Sequence, residues 1–330
     1  MLTASCIVMD KSGGPDVLKL QSKTLPSLRE GEALIAVSYA GINRADLEIR
    51  KGNWQIKAAT PYPYTPGLEF VGKIQAVHSS EANFAIGESV ISMMQKLGGI
   101  HGVRPGGYSS HLVVPTKTLV RVPQSISEKA LASLGLPAVT GMTALTKLDL
   151  KQGENILIQG AAGAVGRIAT SLALAKSANV VACVKNLKQA AAFSPQTNLE
   201  ISVSEGSIAR GVEAESMDAI LEMIGGEGFH DSVKALKPKG RLLSVGAMKG
   251  GNAKISIWDL LQERQVSGWS SENLDRAALE QAVTEISTLQ KNGLLPEYLC
   301  NAQIFPLHDA AMVHRAIEEG AIFGRVLLKP

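Results

Sequence analysis

Asn155-Ile-Leu-Ile-Gln159, followed by Gly160-Ala-Ala-Gly163-Ala-Val-Gly166 and a helical run over 167–178, is the stretch whose reading decides the fold. A short apolar run, a glycine turn and an amphipathic helix stand there in the order of a strand-to-helix unit. Val165, Ile168, Ala169, Leu172 and Ala175 fall on one stripe, so the helix can pack on a sheet while its N-terminus stays open. The unpaired N–H groups and positive dipole end at such a terminus suit a pyrophosphate. The glycines permit the tight turn and close approach of backbone to ligand. Their spacing is G-x-x-G-x-x-G rather than G-x-G-x-x-G, and glycines also mark ordinary turns, so the surrounding βαβ pattern is what makes this a dinucleotide site. Gly160, Ala162, Gly163, Ala164, Val165 and Gly166 are its expected lining.

Outward from that turn, residues 180–184, 217–222, 241–245 and 265–269 read as further strands alternating with helical patterns. Residues 125–271 are therefore expected to form a Rossmann domain, a doubly wound parallel sheet covered by helices. Before it, β-like runs at 33–39, 69–77, 89–93 and 108–114 are separated by glycine and proline. After it come a helix over 274–291 closed by Asn292 and Gly293, short strands, and a helix over 310–319. We expect this tail to rejoin the first part, so that 1–124 and 272–330 make a discontinuous, mostly β domain in an α/β protein. Cofactor choice turns on the end of the second strand, where NAD-selective sites place an acid. Here Cys183-Val184-Lys185-Asn186-Leu187-Lys188 offers none. Lys185 and Lys188, with Asn186 between them, would attract the 2′-phosphate that a carboxylate repels, so the expected cofactor is NADPH. Two solvated lysines on a loop are the plain alternative.

At 330 residues and 45% hydrophobic side chains, the chain exceeds the usual ceiling for one core. Thirty-three basic against thirty acidic residues leave a formal charge of +3 with no block of like charge, which disfavours nucleic acid and membrane as partners. Cys6, Cys183 and Cys300 are scattered and odd in number, as suits a reducing compartment, and a cytoplasmic location is expected. The first fifteen residues lack the basic and apolar regions of a secretory signal. The most apolar stretch, 130–146, is interrupted by Gly135, Pro137 and Gly141 and suits a packed helix start near a ligand.

Ala40-Gly41-Ile-Asn43-Arg44-Ala-Asp46, Tyr64-Thr-Pro66-Gly67-Leu-Glu69, Gly106-Gly107-Tyr108, Leu136-Pro137-Ala-Val-Thr140-Gly, Ser244-Val-Gly246-Ala247 and Phe323-Gly324-Arg325-Val326-Leu327 complete a pattern around the Gly160 turn. Together they resemble the medium-chain dehydrogenase/reductase superfamily and, within it, the zinc-free quinone oxidoreductases, over nearly the whole chain. The resemblance implies that the β domain is GroES-like and catalytic. Zinc-dependent alcohol dehydrogenases of that superfamily have a cysteine where this chain has Asn43, a histidine at Leu68 and another cysteine near Leu136. None of the three residues here suits zinc, and the stretch 93–108 lacks the cysteines of a structural zinc lobe. His101 and His111 have no neighbouring ligands at metal spacing, so no metal is expected.

Alcohol oxidation at neutral pH and simple ketone reduction both need strong electrophilic help at oxygen. A quinone or α,β-unsaturated carbonyl is electrophilic already, so hydrogen-bond donors suffice. The expected activity is an NADPH:quinone oxidoreductase-like reduction of quinones or other conjugated carbonyls. An enone or enoyl-thioester reductase of the same fold is the alternative, and a non-catalytic NADPH-binding protein, crystallin-like and RNA-binding, is a further one.

The resemblance places Asn43 near the nicotinamide and acceptor, and Thr140 and Val245-Gly246-Ala247 around the nicotinamide. A turn residue capping the next helix is the competing role for Asn43. Trp54 is a candidate stacking residue, Tyr64 and Arg44 candidate pocket residues, and Asp46 is read as structural. Glu48 stands where some quinone oxidoreductases have a tyrosine, which disfavours a tyrosine-acid mechanism. Tyr108 is read as core and Gly225-Gly226 as a loop along the ribose. The loops 53–60 and 95–104 are expected to shape the substrate pocket. The segment 252–267, strand-like at 253–257, resembles the edge that pairs across a two-fold axis, so a homodimer is expected.

Overall fold

The computed structural model describes residues 2–54, 62–78, 83–98, 104–204 and 212–330. The chain falls into two units, Met1–Val139 with Ser271–Pro330, and Thr140–Ser270.

The first unit opens with an antiparallel hairpin of β1 (Thr3–Val8) and β2 (Lys19–Thr24). The long strand β3 (Glu32–Ile42) alternates, sending Ala33, Ile35 and Val37 into the core. α1 (Arg44–Lys51) follows it directly. Four strands come next, β4 (Glu69–Val77), β5 (Ser89–Met93), β6 (His111–Pro115) and β7 (Val120–Arg121). α2 (Glu128–Lys147) is two helical pieces joined at Gly135, whose φ of 40° and ψ of −142° break the ladder one residue before Leu136 and two before Pro137.

In the second unit, β8 (Asn155–Gln159), α3 (Ala164–Ala175), β9 (Asn179–Val184), α4 (Leu187–Ala190), β10 (Leu199–Val203), β11 (Met217–Glu222), α5 (Phe229–Ala235), β12 (Leu236–Ser244), α6 (Ile257–Leu260) and β13 (Gln265–Gly268) alternate along the chain. The sheet order is β10-β9-β8-β11-β12-β13 with every neighbour parallel. That is the 3-2-1-4-5-6 order, with the switch point between β8 and β11. Leu157, Ile220, Val233, Leu236 and Leu242 fill the core on the α5 side.

The chain then returns to the first unit through α7 (Arg276–Lys291), capped by the Asp275 carboxylate on Ala278 N–H at 2.8 Å, β14 (Gln303–Pro306), α8 (Ala310–Glu318) and β15 (Val326–Lys329). The order there is β14-β15-β3-β4-β5-β7, with β6 on the early part of β3. β15 runs antiparallel to β3 with Val326 opposite Ile42, and β4 runs antiparallel on the other side with Phe70 opposite Ala40. Those two registers bring Arg325 and Glu69 to the end of β3, where Asn43 begins the next element.

The α/β class and the parallel sheet agree with the sequence reading, and several details differ. α3 starts at Ala164, because Gly163 already has the extended backbone of a cap (φ −69°, ψ 168°). Residues 108–110 do not extend β6: the Tyr108 N–H goes to the Pro66 carbonyl at 3.0 Å, and the segment bonds β1 instead, Ile7 N–H to the Tyr108 carbonyl at 2.9 Å and Ser110 N–H to the Ser5 carbonyl at 2.7 Å. Residues 253–257 are not a strand: an edge run needs a backbone partner, and among the described residues β13 pairs only with β12. β10, a half-buried edge, and the short α5 had no strong periodic signal.

Candidate functional site

At the end of β3 a buried polar node replaces an apolar core. Arg325 and Glu69 are 9% and 2% exposed and pair at 2.7 Å, Nη2 to Oε1. Glu69 Oε1 also accepts from Asn43 Nδ2 at 2.8 Å, and Oε2 accepts the Leu136 N–H that the Gly135 break releases, at 2.9 Å. Arg325 donates from Nη2 to the Ala132 carbonyl at 2.7 Å and from Nη1 to Asn43 Oδ1 at 3.3 Å. The Asn43 amide is thus held at both ends, with one N–H unengaged among the described residues. Gly41 is obligatory because a Cβ there would run into both the Arg325 guanidinium and the Glu69 carboxylate.

Asn43 also occupies the N-cap position of α1, the competing role expected for it. Its own N–H goes to Asp46 Oδ2 at 2.8 Å, and Leu68 N–H goes to Oδ1 at 3.2 Å. Asp46 therefore ties α1 to the start of β4, which is a structural task. Burial, with the nearby Glu69 charge adding to it, raises its carboxyl from 3.8 to about 7 against these hydrogen bonds.

Tyr64 is buried beside Tyr62, ring centroids 5.5 Å apart, and its hydroxyl has no hydrogen-bond partner among the described residues. Burial, the Tyr62 ring and the Asp46 charge all push its phenol up. Trp54 is half-buried and does not join the Asn43 node; its indole N–H donates to Glu272 at 2.8 Å. Arg44 is half-buried with Nε lacking a partner among the described residues. Glu48 bonds Lys51 at 3.3 Å and Asn53 at 3.1 Å. Tyr108 is fully buried, its hydroxyl 3.1 Å from His314 Nε2. Residues 55–60 of one expected pocket loop, and 99–103 of the other including His101, lie outside the described residues.

In the second unit the glycine turn sits at the switch point. Gly160 has φ +72°, and Gly166 packs so closely that a Cβ would come within 2.5 Å of the Gly160 carbonyl and Ala161 Cα. The turn is braced by Ala161 N–H to the Cys183 carbonyl and Gly163 N–H to the Gly160 carbonyl, both 3.0 Å. Helix geometry leaves Ala164, Val165 and Gly166 N–H groups without intrahelical acceptors. Ala162 is buried in the turn, and Thr140, on the second piece of α2, is half-buried.

Beyond β11, the segment 223–226 runs beside Val245-Gly246-Ala247. Val245 N–H bonds the Glu222 carbonyl at 2.9 Å and Lys249 N–H the Ile224 carbonyl at 2.7 Å. Ile224 in turn faces Gly160, where a Cβ would meet its Cδ1 at 3.1 Å. The expected glycine turn and the 245–247 segment are thus joined through Ile224. At the end of β9, Lys185 and Lys188 are exposed, while Asn186 caps α4 with Oδ1 on Gln189 N–H at 2.9 Å.

Three residues of these sites were missed from the sequence. Glu69 and Arg325 were quoted only as parts of motifs, yet a charge heading an apolar strand run was the available signal. Glu222, fully buried, receives Ile224 N–H at 2.8 Å and Gly225 N–H at 3.0 Å, and burial raises its carboxyl.

The donors at the three former ligand positions do not fit zinc. Leu68 and Leu136 are buried apolar side chains, and Asn43 is tied into the node. No group of three or more His, Cys, Asp or Glu that could hold a metal occurs among the described residues. The glycine turn does fit a dinucleotide, for Cβ-free space and open amides coincide there.

A 3-2-1-4-5-6 parallel sheet with a glycine turn at its switch point, together with a discontinuous β-rich unit, is the architecture of medium-chain dehydrogenases and reductases. The alcohol dehydrogenase GroES-like domain matches residues 29–124, and the zinc-binding dehydrogenase domain matches 196–328. Quinone oxidoreductase of Sus scrofa is 27% identical over 335 residues, covering 98% of this chain and 97% of that protein. The Homo sapiens protein of the same name is 26% identical, covering 94% and 92%. The structure of Escherichia coli quinone oxidoreductase complexed with NADPH superposes with a TM-score of 0.85 at 25% identity, covering 99% and 100%. The chain thus combines the two domains of the medium-chain dehydrogenases and reductases, and over nearly its whole length it is similar to quinone oxidoreductases.

Proposed function

We propose that this chain is an NADPH-dependent reductase that passes a hydride to quinones or other conjugated carbonyl compounds without zinc. The observation that carries this reading is the Asn43–Glu69–Arg325 node standing where a metal site would need thiolate and imidazole. Gly160, Ala162, Gly163, Ala164, Val165 and Gly166 would hold the pyrophosphate on backbone amides, with Lys185, Asn186 and Lys188 at the 2′-phosphate and Thr140 and Val245–Ala247 at the nicotinamide. When bound, the coenzyme supplies the hydride. NADPH in the E. coli relative supports that choice of coenzyme.

Asn43 is the donor to the acceptor oxygen. Arg325 polarises its carbonyl and Glu69 fixes one of its amide hydrogens, so the remaining N–H is oriented in advance and strengthened by the charge behind it. Tyr64 offers a buried hydroxyl as a second donor, and Trp54 an aromatic face for a planar acceptor. Glu69 and Arg325 are positioning residues. Conjugation in the acceptor spreads the arriving charge, and water supplies the proton.

A homodimer and a cytoplasmic setting complete the proposal. Ile257, Trp258 and Leu261 are 67%, 80% and 66% exposed near the β13 edge, and a second copy would cover them. Sedimentation velocity should give twice the chain mass; a monomer for wild type would remove that part. The three cysteines are buried and form no disulfide, and no described helix is long and apolar enough to cross a membrane.

An NADPH-consumption screen over quinones, enals, enones and enoyl thioesters tests the main reading. 1,4-Naphthoquinone should be turned over faster than crotonyl-CoA. The reverse order would make the protein an enoyl-thioester reductase, and tight NADPH binding with no turnover across the panel would make it a binding protein.

A further inference from the structure

We propose that the first unit holds a second binding site, for an amphipathic organic anion, in the cavity beside the Met94–Gln95–Lys96 turn. The cavity has a volume of about 1010 Å³, at the top of the range for small-molecule sites, and no residue of the Asn43 node lines it. It lies within one unit, and its chemistry is the same whether or not the chain is a reductase.

Its floor is apolar or neutral, with Cys6, Thr65, Ser109 and Leu112 all buried. Its rim is cationic. Five Lys and Arg side chains, Lys23, Arg29, Lys96, Arg104 and Lys117, line it against three carboxylates. The carboxylates are already engaged: Glu32 accepts Arg29 N–H at 2.9 Å, Glu272 the Trp54 indole N–H at 2.8 Å, and Asp275 the Ala278 N–H at 2.8 Å. Lys23, Arg29, Lys96 and Lys117 have no acidic partner among the described residues. Burial lowers the imidazole of His111, also at the rim. Exposed lysines alone are commonplace; four unpaired cations around one apolar concavity form a field that only an anion completes.

The backbone points to the same place. Met94, Gln95 and Lys96 have φ of 56°, 45° and 68°, three successive non-glycine residues in the left-handed region. Such strain persists only where the surroundings impose it, and here they do. Arg104 donates to the carbonyls of Met94 and Gln95 and to Thr118 Oγ1 at 2.9 Å, while Gln95 Nε2 reaches the Thr118 carbonyl at 3.3 Å. Burial lowers the Arg104 guanidinium to about 10, so it stays charged at neutral pH. The braced turn sets Lys96 at the cavity rim, where no described protein group pairs with it. The matching ligand has an apolar body for the Leu112 floor and a carboxylate, sulfonate or phosphate head for the lysines.

The test is fluorescence titration of the full chain with 8-anilinonaphthalene-1-sulfonate, in saturating NADPH. One saturable site is expected. Its affinity should fall about fivefold in the Lys96→Gln/Lys117→Gln double variant, the scale of two partly exposed charge contacts. It should fall again when salt is raised from about 0.05 to about 0.5 M. Lys96→Gly is expected to weaken the probe while raising the melting temperature, because glycine relieves the left-handed strain. Wild-type affinity in the double variant would overturn the proposal, as would the absence of a saturable site under saturating NADPH. So would a probe that binds irrespective of salt.

Discussion

The Asn43 node and the Gly160 turn are both built where a strand ends, and they use opposite materials. At the end of β3 the work is done by side chains: a guanidinium, a carboxylate and an amide, buried together and satisfied by one another. At the end of β8 it is done by backbone amides and by the absence of side chains. The difference teaches where each site is vulnerable. A buried ion network fails when one partner is removed, because the other is left charged in a low-dielectric setting. A glycine turn fails when an atom is added.

Arg325→Met is the sharpest break on the first side. It leaves Glu69 unpaired at 2% exposure and should cost about 3–5 kcal/mol in urea denaturation. Adding Glu69→Gln should recover part of that loss, and strictly additive single-variant costs would argue against a coupled network.

Asp46 gives the node a pH dependence. Its carboxyl titrates at about 7 in the folded chain against an ordinary 3.8. Between those values the native state keeps a proton that the unfolded state has lost, so stability should fall as pH rises from about 4 to about 7 and then level off. Asp46→Asn should flatten that slope, which a series of denaturation midpoints across the range would record.

On the second side, Gly166→Ala forces a methyl group onto the Gly160 carbonyl and Ala161. We expect a loss of about 1–3 kcal/mol in stability from overpacking, with NADPH affinity falling more than tenfold and naphthoquinone affinity unchanged. Smaller still is the effect of Lys185→Glu/Lys188→Glu. It should reduce the preference for NADPH over NADH by about ten- to a hundredfold in kcat/KM, the scale of losing charge-assisted contacts to one phosphate.

The same contrast explains what the sequence disclosed. The Gly160 turn was legible because its information is local: apolar run, glycines and helical stripe lie within about twenty residues, and backbone chemistry needs no distant partner. Five of the six parallel strands were legible for the same reason, as continuous apolar runs, while the half-buried edge β10 was not. The node was not, since Asn43, Glu69, Leu136 and Arg325 meet only through the antiparallel registers of β3 with β4 and β15. Resemblance pointed to Asn43 without showing what holds it. Trp54 illustrates the limit, for its bond to Glu272 joins residues far apart in sequence and gives the indole a partner that no local pattern announces. The strand expected over 253–257 failed because edge pairing is settled by a partner backbone, not by the run itself.

In the proposed reaction polarised hydrogen-bond donors, rather than a Lewis acid, serve the acceptor. The most direct measurement is the rate of 1,4-naphthoquinone reduction by NADPH before and after exhaustive dialysis against a chelator, with metal content determined on the same samples. The account predicts an unchanged rate in protein holding far less than one zinc per chain. A rate that collapses on dialysis and returns with stoichiometric zinc would contradict it.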